Sequence, residues 1–173
     1  MRSLLRRLLA PRRTGGPAEP RPTRRSQRRS ERGARHDAGA SPRVAYAPRA
    51  DGRADPGEVV WAWVPFEEDP RQGKDRPVLV LARDGGRLLC LMLTSKDHDR
   101  DAADEARHGR HWQDVGSGGW DRERRPSEVR LDRLIPLDEA AVRREGAALD
   151  RAVFEDVVAA AARFHPQLGV SGT

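Results

Sequence analysis

The side chains able to do chemistry are few, and most sit in polar stretches. His98 lies in Lys96-Asp97-His98-Asp99, beside carboxylates but with no second ligand at metal spacing. His108 and His111 stand three apart further along. Paired imidazoles suit general acid–base work on RNA, because they change charge near neutral pH. The commoner fate of such loop histidines is plain solvation. Cys90, the single cysteine, is enclosed by Leu88-Leu89 and Leu91-Met92-Leu93 and reads as a small buried hydrophobe, not a thiol nucleophile. One cysteine excludes an internal disulfide and a cysteine-based zinc site. A serine-nucleophile elbow, a phosphate-binding glycine loop and a dinucleotide fingerprint are all missing from the sequence. The expectation is no metal and no cofactor.

Trp112 and Trp120 lie in polar, glycine-rich surroundings, with Arg122, Arg124 and Arg125 close behind. An exposed indole beside such cations can stack an unpaired base while guanidiniums hold phosphate. The competing reading is an apolar anchor that pins the loop. Trp61 and Trp63 alternate along one segment, which fits the core or a dimer interface.

These groups need elements to position them. Residues 1–55 are rich in Arg, Pro, Gly, Ser and Ala, and cannot bury enough apolar surface to offset their ordering entropy. They are expected to form a disordered arm. The first 50 residues carry 14 Arg against Glu19, Glu31 and Asp37, a net +11, whereas the remainder carries 19 basic against 24 acidic residues, a net −5. The basic character therefore belongs to the arm, and a high isoelectric point does not mark the domain as a nucleic-acid binder. The arm itself reads either as a solvated tail or as added affinity for phosphates. No run reaches the roughly 18 to 20 apolar residues of a membrane span. Arg6 and Arg7 interrupt the short apolar start. A cytoplasmic protein without membrane contact is expected.

The domain is expected over residues 56–166, followed by a tail at 167–173. Glu58 to Val64 is β-branched and aromatic and reads as a strand, Pro77 to Leu81 as a buried strand, and Leu88 to Thr94 as its return after the hairpin signal Asp84-Gly85-Gly86. Lys96 to Gly119 reads as a long loop with a short strand near Trp112 to Val115. Glu128 to Asp132 alternates as a half-buried strand, and Leu134 to Leu137 continues as an edge, since Pro136 cannot donate to a central ladder. Asp138 is expected to cap a short helix over Glu139 to Glu145, stopped by Gly146. Asp150 is expected to cap a longer one whose face is Val153, Val157, Ala161 and Phe164. The class is mainly β with α (α+β), a small barrel or sheet with a C-terminal packing helix.

One ordered set of segments runs through this domain. Pro56-Gly57-Glu58-Val59-Val60-Trp61 is followed by Gln72-Gly73-Lys74-Asp75-Arg76-Pro77-Val78-Leu79-Val80-Leu81, by a strand ending in Leu93-Thr94-Ser95, by Pro126-Ser127-Glu128-Val129-Arg130, and by the Leu149-Asp150 helix start. The set resembles the PemK/MazF family of toxins from type II toxin–antitoxin systems, in a divergent, actinobacterial-type form. The resemblance covers roughly Pro56 to Phe164.

The resemblance implies an SH3-like β-barrel with helices, usually a homodimer. It also implies an endoribonuclease that cuts single-stranded RNA at short motifs without metal, with a protein antitoxin as inhibitor. The family's cleaving arginine and threonine correspond to Arg76 and Thr94. Gln72, Lys74, Ser95, Trp120 and Arg122 are the expected substrate contacts. The physics agrees: when the 2′-hydroxyl attacks phosphorus, a planar guanidinium matches the anionic phosphoryl oxygens, and a hydroxyl adds a second donor. Against this stands the reading of Arg76 as a surface arginine paired with Asp75 or Glu68, and of Thr94 as a hydroxyl satisfying a turn. The chain departs from the family at Lys74 and Asp75, where a second glycine is common. It also departs in the acidic Glu67-Glu68-Asp69, in the long Lys96 to Gly119 stretch and in its net negative domain. Two rival functions follow, a non-catalytic RNA- or DNA-binding module, including operator DNA, and a protein-interaction scaffold.

Overall fold

The computed structural model describes residues 42–98 and 101–168. Most of the expected arm lies outside them. Six antiparallel strands form one sheet in the order β4-β5-β3-β2-β1-β6: β1 Glu58–Pro65, β2 Gly73–Asp84, β3 Arg87–Thr94, β4 Trp112–Gly116, β5 Ser127–Asp138 and β6 Val142–Ala148. Helix α1 spans Ala102–Arg107 and α2 spans Arg151–Ala161. The class is α+β as expected. The barrel is approximate: the sheet curls but stays open, with β4 and β6 as its edges.

The curl follows from apolar residues on both faces. On one, Val59, Leu79, Leu91 and Val129 pack beneath α2. On the other, Val60, Val78, Val80 and Cys90 pack with Ile135 and Leu137. No described helix covers that second face, and the sheet folds over on itself to bury it. A register shift between Leu91 and Leu93 lets β5 serve both sides, with Leu131 toward α2 and Ile135 toward the inner cluster. Burial pushes the Cys90 thiol up to about 12, which makes it inert.

Local signals hold where the chemistry is local. Gly85 and Gly86 take φ of 53° and 91°, the paired left-handed residues of a two-residue hairpin. Asp150 Oδ1 accepts from the N–H groups of Ala152 at 2.8 Å and Val153 at 3.3 Å. Asp150→Ala is expected to lose about 1 kcal/mol, read as a melting point lower by a few degrees. Pro136 has a partner strand only on its β3 side, because β4 pairs with Ser127 to Arg130 alone.

Four expectations change. The helix over Glu139 to Glu145 is instead a 3-10 turn, Glu139–Ala141, followed by strand β6, and Asp138 makes no side-chain cap. Gly146 does not stop a helix: a Cβ there would lie 1.8 Å from the Val59 carbonyl oxygen, so glycine lets β6 approach β1. The buried face of α2 is Phe154, Val157, Val158 and Ala161, while Phe164 is exposed beyond its end. Residues before Pro56 also contact the sheet and helix α2. Val44 bridges to Ala82, Tyr46 donates its hydroxyl to Leu149 O at 2.7 Å, and buried Asp55 pairs with Arg49 at 3.0 Å. The long loop holds the expected strand near Trp112, and α1 besides.

Candidate active site

Sheet register assembles the site. Ala62 faces Arg76 across β1 and β2, and Thr94 faces Glu128 across β3 and β5. The β2–β3 pairing ends at Val78 opposite Met92; the same register carried two residues further would bring Arg76 level with Thr94, and both border one recess. Glu128 in turn faces Asp114 on β4. Arg76, Thr94, Glu128 and Asp114 thus form one row on one face, with strands about 4.8 Å apart.

Arg76 is half-buried, and its side chain makes no ion pair or hydrogen bond among the described residues. Its expected competitor, Asp75, is held by Arg143 at 2.9 Å. Most of its neighbours are spoken for. Arg130 is bonded to Asp132 at 2.7 Å and to Glu67, Arg133 lies 3.4 Å from Glu67, and Arg110 lies 2.6 Å from Glu105. Burial opposes the charge on Arg130, but Asp132 and Glu67 outweigh it and raise its pKa.

Arg76 borders two recesses. One, about 170 Å³, is also lined by Asp75, Thr94, Ser95, Trp120 and Arg125. The other is lined by Phe66, Glu67, Arg110, Arg130 and Arg133. Sequence reasoning missed this second group, whose members come from three separate segments. Thr94 Oγ1 accepts the Lys96 N–H at 3.2 Å, so it does satisfy a turn. Its hydroxyl proton remains available as a donor.

The structure brings Ser95 and Trp120 to the Arg76–Thr94 cleft and leaves others outside it. Trp120 is 5% exposed, donates Nε1–H to Ser127 Oγ at 3.2 Å and accepts from Trp61 Nε1 at 2.8 Å through its carbonyl. It is a loop anchor, not an open stacking platform. A Cβ on Gly118 would lie 2.0 Å from its ring. Arg122 is exposed on that loop and does not border the cleft; Arg125 does, with Nε 2.8 Å from Asp121. Gln72 and Lys74 are exposed in the β1–β2 hairpin away from this lining, Gln72 donating to Asp69 at 3.1 Å. Asp69 also accepts from Arg71, and Glu67 serves Arg130 and Arg133, so two of the three loop acids are neutralised locally.

The paired-histidine expectation dissolves. The ring of His108 bonds Asp104 O at 2.7 Å, while that of His111 packs on Phe164 at 4.6 Å. His98 is buried instead against Glu128, its Nδ1 3.0 Å from Oε2, and stacks on Trp112. Trp112 donates Nε1–H to Glu105, which Arg110 also holds with two bonds. Those bonds lower the Glu105 pKa from its ordinary 4.5 to about 2. A depressed carboxyl stabilises the fold above its unfolded pKa and loses that contribution as pH falls through the folded value. Glu105→Gln is therefore expected to lower the melting point at pH 7, with the gap closing between pH 4.5 and about 2.

No described helix is long and apolar enough to cross a membrane. No curated protein matches the chain. Among solved structures, MazF (Form-I) and MazE-MazF (Form-II), both from Deinococcus radiodurans, are similar at 21% and 20% identity, each with a TM-score of 0.45 and with 65% of this chain and 96% of the other covered. The family described as PemK-like, MazF-like toxins of type II toxin-antitoxin systems matches residues 55–165, which takes in all six strands and both helices. The chain belongs to that family.

Proposed function

We propose that this chain is an endoribonuclease that cuts single-stranded RNA in the Arg76–Thr94 cleft. The observation that carries the reading is a half-buried guanidinium, without an ion pair among the described residues, that borders one recess with the Thr94 hydroxyl. A partly buried guanidinium with no ion-pair partner among the described residues is suited to an anionic ligand. A phosphodiester is such a ligand, and a more strongly held one as its phosphorus becomes pentavalent.

In the proposed reaction the RNA's own 2′-hydroxyl attacks phosphorus. Arg76 binds the phosphoryl oxygens through its planar fork, and Thr94 donates a further hydrogen bond. Because the nucleophile comes from the substrate, no metal is required to generate it. Ser95 and Arg125 border the cleft and contact the flanking backbone. The products are a 2′,3′-cyclic phosphate and a 5′-hydroxyl.

By kinship with the family, the proposed setting is a toxin–antitoxin pair. It includes a protein antitoxin as inhibitor, a homodimer as the working unit and operator DNA as a further partner. The test of the chemistry compares single-stranded RNA with DNA of the same sequence. RNA cut to cyclic-phosphate and 5′-hydroxyl ends, with DNA intact, is the expected result. Cleavage of both strands would refute 2′-hydroxyl attack.

A further inference from the structure

The proposed reaction leaves one role unfilled, the group that takes the 2′-hydroxyl proton. An arginine stays protonated and a threonine hydroxyl is far too weak a base. Of the other described histidines, His108 is exposed beyond α1, His111 packs on Phe164, and His165 Nε2 bonds Leu131 O at 2.8 Å. None of these is bonded to a residue of the Arg76 row.

His98 is. Its ring Nδ1 lies 3.0 Å from Glu128 Oε2, and its backbone N–H donates to Oε1 of the same carboxylate at 3.0 Å. Glu128 is the residue directly opposite Thr94. The ring is nine-tenths buried and lies flat on Trp112, with centroids 4.1 Å apart and planes 3° from parallel. Ser95 borders both the Arg76 cleft and a neighbouring recess that Glu128 lines. The segment from Thr94 to His98 is thus tied at both ends to β5, and Thr94 and the imidazole are fixed relative to each other.

The bonding pattern also sets the tautomer. An Nδ1 that faces a carboxylate keeps its proton, so Nε2 carries the lone pair of the neutral ring. The same carboxylate stabilises the imidazolium once formed. The charged groups around the ring are Glu128 from β5, Glu105 from α1 with its partner Arg110, Asp114 from β4 across the recess, and Lys96 and Asp97 on its own segment.

We propose that His98, oriented by Glu128, is the proton acceptor for the 2′-hydroxyl. This rests on the ribonuclease reading above. The 2′-proton moves to Nε2 as the 2′-oxygen bonds phosphorus and the bond from phosphorus to the 5′-oxygen breaks. The 5′-oxygen takes a proton from water, and the hydroxide left is neutralised by the proton that His98 then releases.

The test is His98→Asn, because an asparagine amide overlays Nδ1 and can still donate to Glu128 but has nothing at Nε2. In full-length protein, with RNA as substrate, kcat should fall by about 10²- to 10⁴-fold. The melting point and KM should stay near wild type, the acid limb of the pH–rate profile should vanish, and added imidazole should restore part of the rate. Wild-type kcat and pH profile in His98→Asn would reduce His98 to a structural clamp and overturn the proposal. If that variant melts early, Glu128→Gln carries the test: it keeps an acceptor but removes the charge that stabilises imidazolium. Its kcat should drop by at least about tenfold with KM unchanged, and an unchanged kcat would overturn the proposal. RNA cleavage by wild type, lost in Arg76→Ala but kept in His98→Asn, sinks this inference alone. No cleavage by wild type sinks the ribonuclease reading and this one together.

Discussion

Arg76→Ala is expected to lower kcat for RNA cleavage by about 10²- to 10³-fold, the usual cost of removing one preorganised donor from an anionic transition state. The fold should be indifferent to the change, because the Arg76 side chain makes no ion pair or hydrogen bond among the described residues. It lies in the first half of β2, is half-buried, and belongs to neither core cluster. Melting should therefore stay within about 0.5 kcal/mol of wild type, as for substitutions away from cores and networks. Arg76→Lys restores the charge but not the planar two-pronged geometry, so it should recover part of the rate and not all of it. Single-turnover rates with saturating RNA, beside thermal melts, separate these effects. A cleft that merely bound RNA would show weaker affinity in Arg76→Ala and no rate to lose.

Trp120→Ala is expected to have the largest effect on stability. Truncating a buried tryptophan costs about 3–5 kcal/mol. Here it also strips the partner from Ser127 Oγ and opens space beside Gly118, which has no side chain to fill it. The same loop carries Asp121 and Arg125 over the cleft, so function should suffer beyond the fold. Below its melting point the variant should show a raised KM for RNA, with kcat changed less. Trp120→Phe keeps most of the packing and loses only the Nε1–H bond to Ser127 Oγ, which should cost about 1 kcal/mol. Chemical denaturation of the three proteins orders them. Equal midpoints for wild type and Trp120→Ala would mean that the indole anchors nothing.

What the sequence made legible was local. The paired glycines at 85 and 86 define a hairpin wherever they occur between apolar runs, and Asp150 caps whatever helix follows it. Arg76 and Thr94 were singled out through the order of the segments around them, and both border one recess. The errors were non-local. Glu139 to Glu145 is rich in residues that favour helix, yet pairing with β1 overrides that preference. Helix α1 buries none of its residues, so it left no apolar period to read. Glu128 looked like the polar half of an alternating strand. Its place opposite Thr94 depends on a β3–β5 pairing that bypasses the whole of the long connection, and no local pattern encodes such a register. Trp120 left both a stacking platform and a loop anchor open, because its neighbours are polar and small; its bonds to β1 and β5 make it the anchor.

The central claim is that the Arg76–Thr94 cleft breaks RNA. The most direct measurement incubates purified wild-type protein and Arg76→Ala with a long single-stranded RNA in excess EDTA and maps every new end. Discrete cuts from wild type that survive EDTA and vanish in the variant are the expected result. Equal cutting by both proteins, or none from folded wild type, would contradict it.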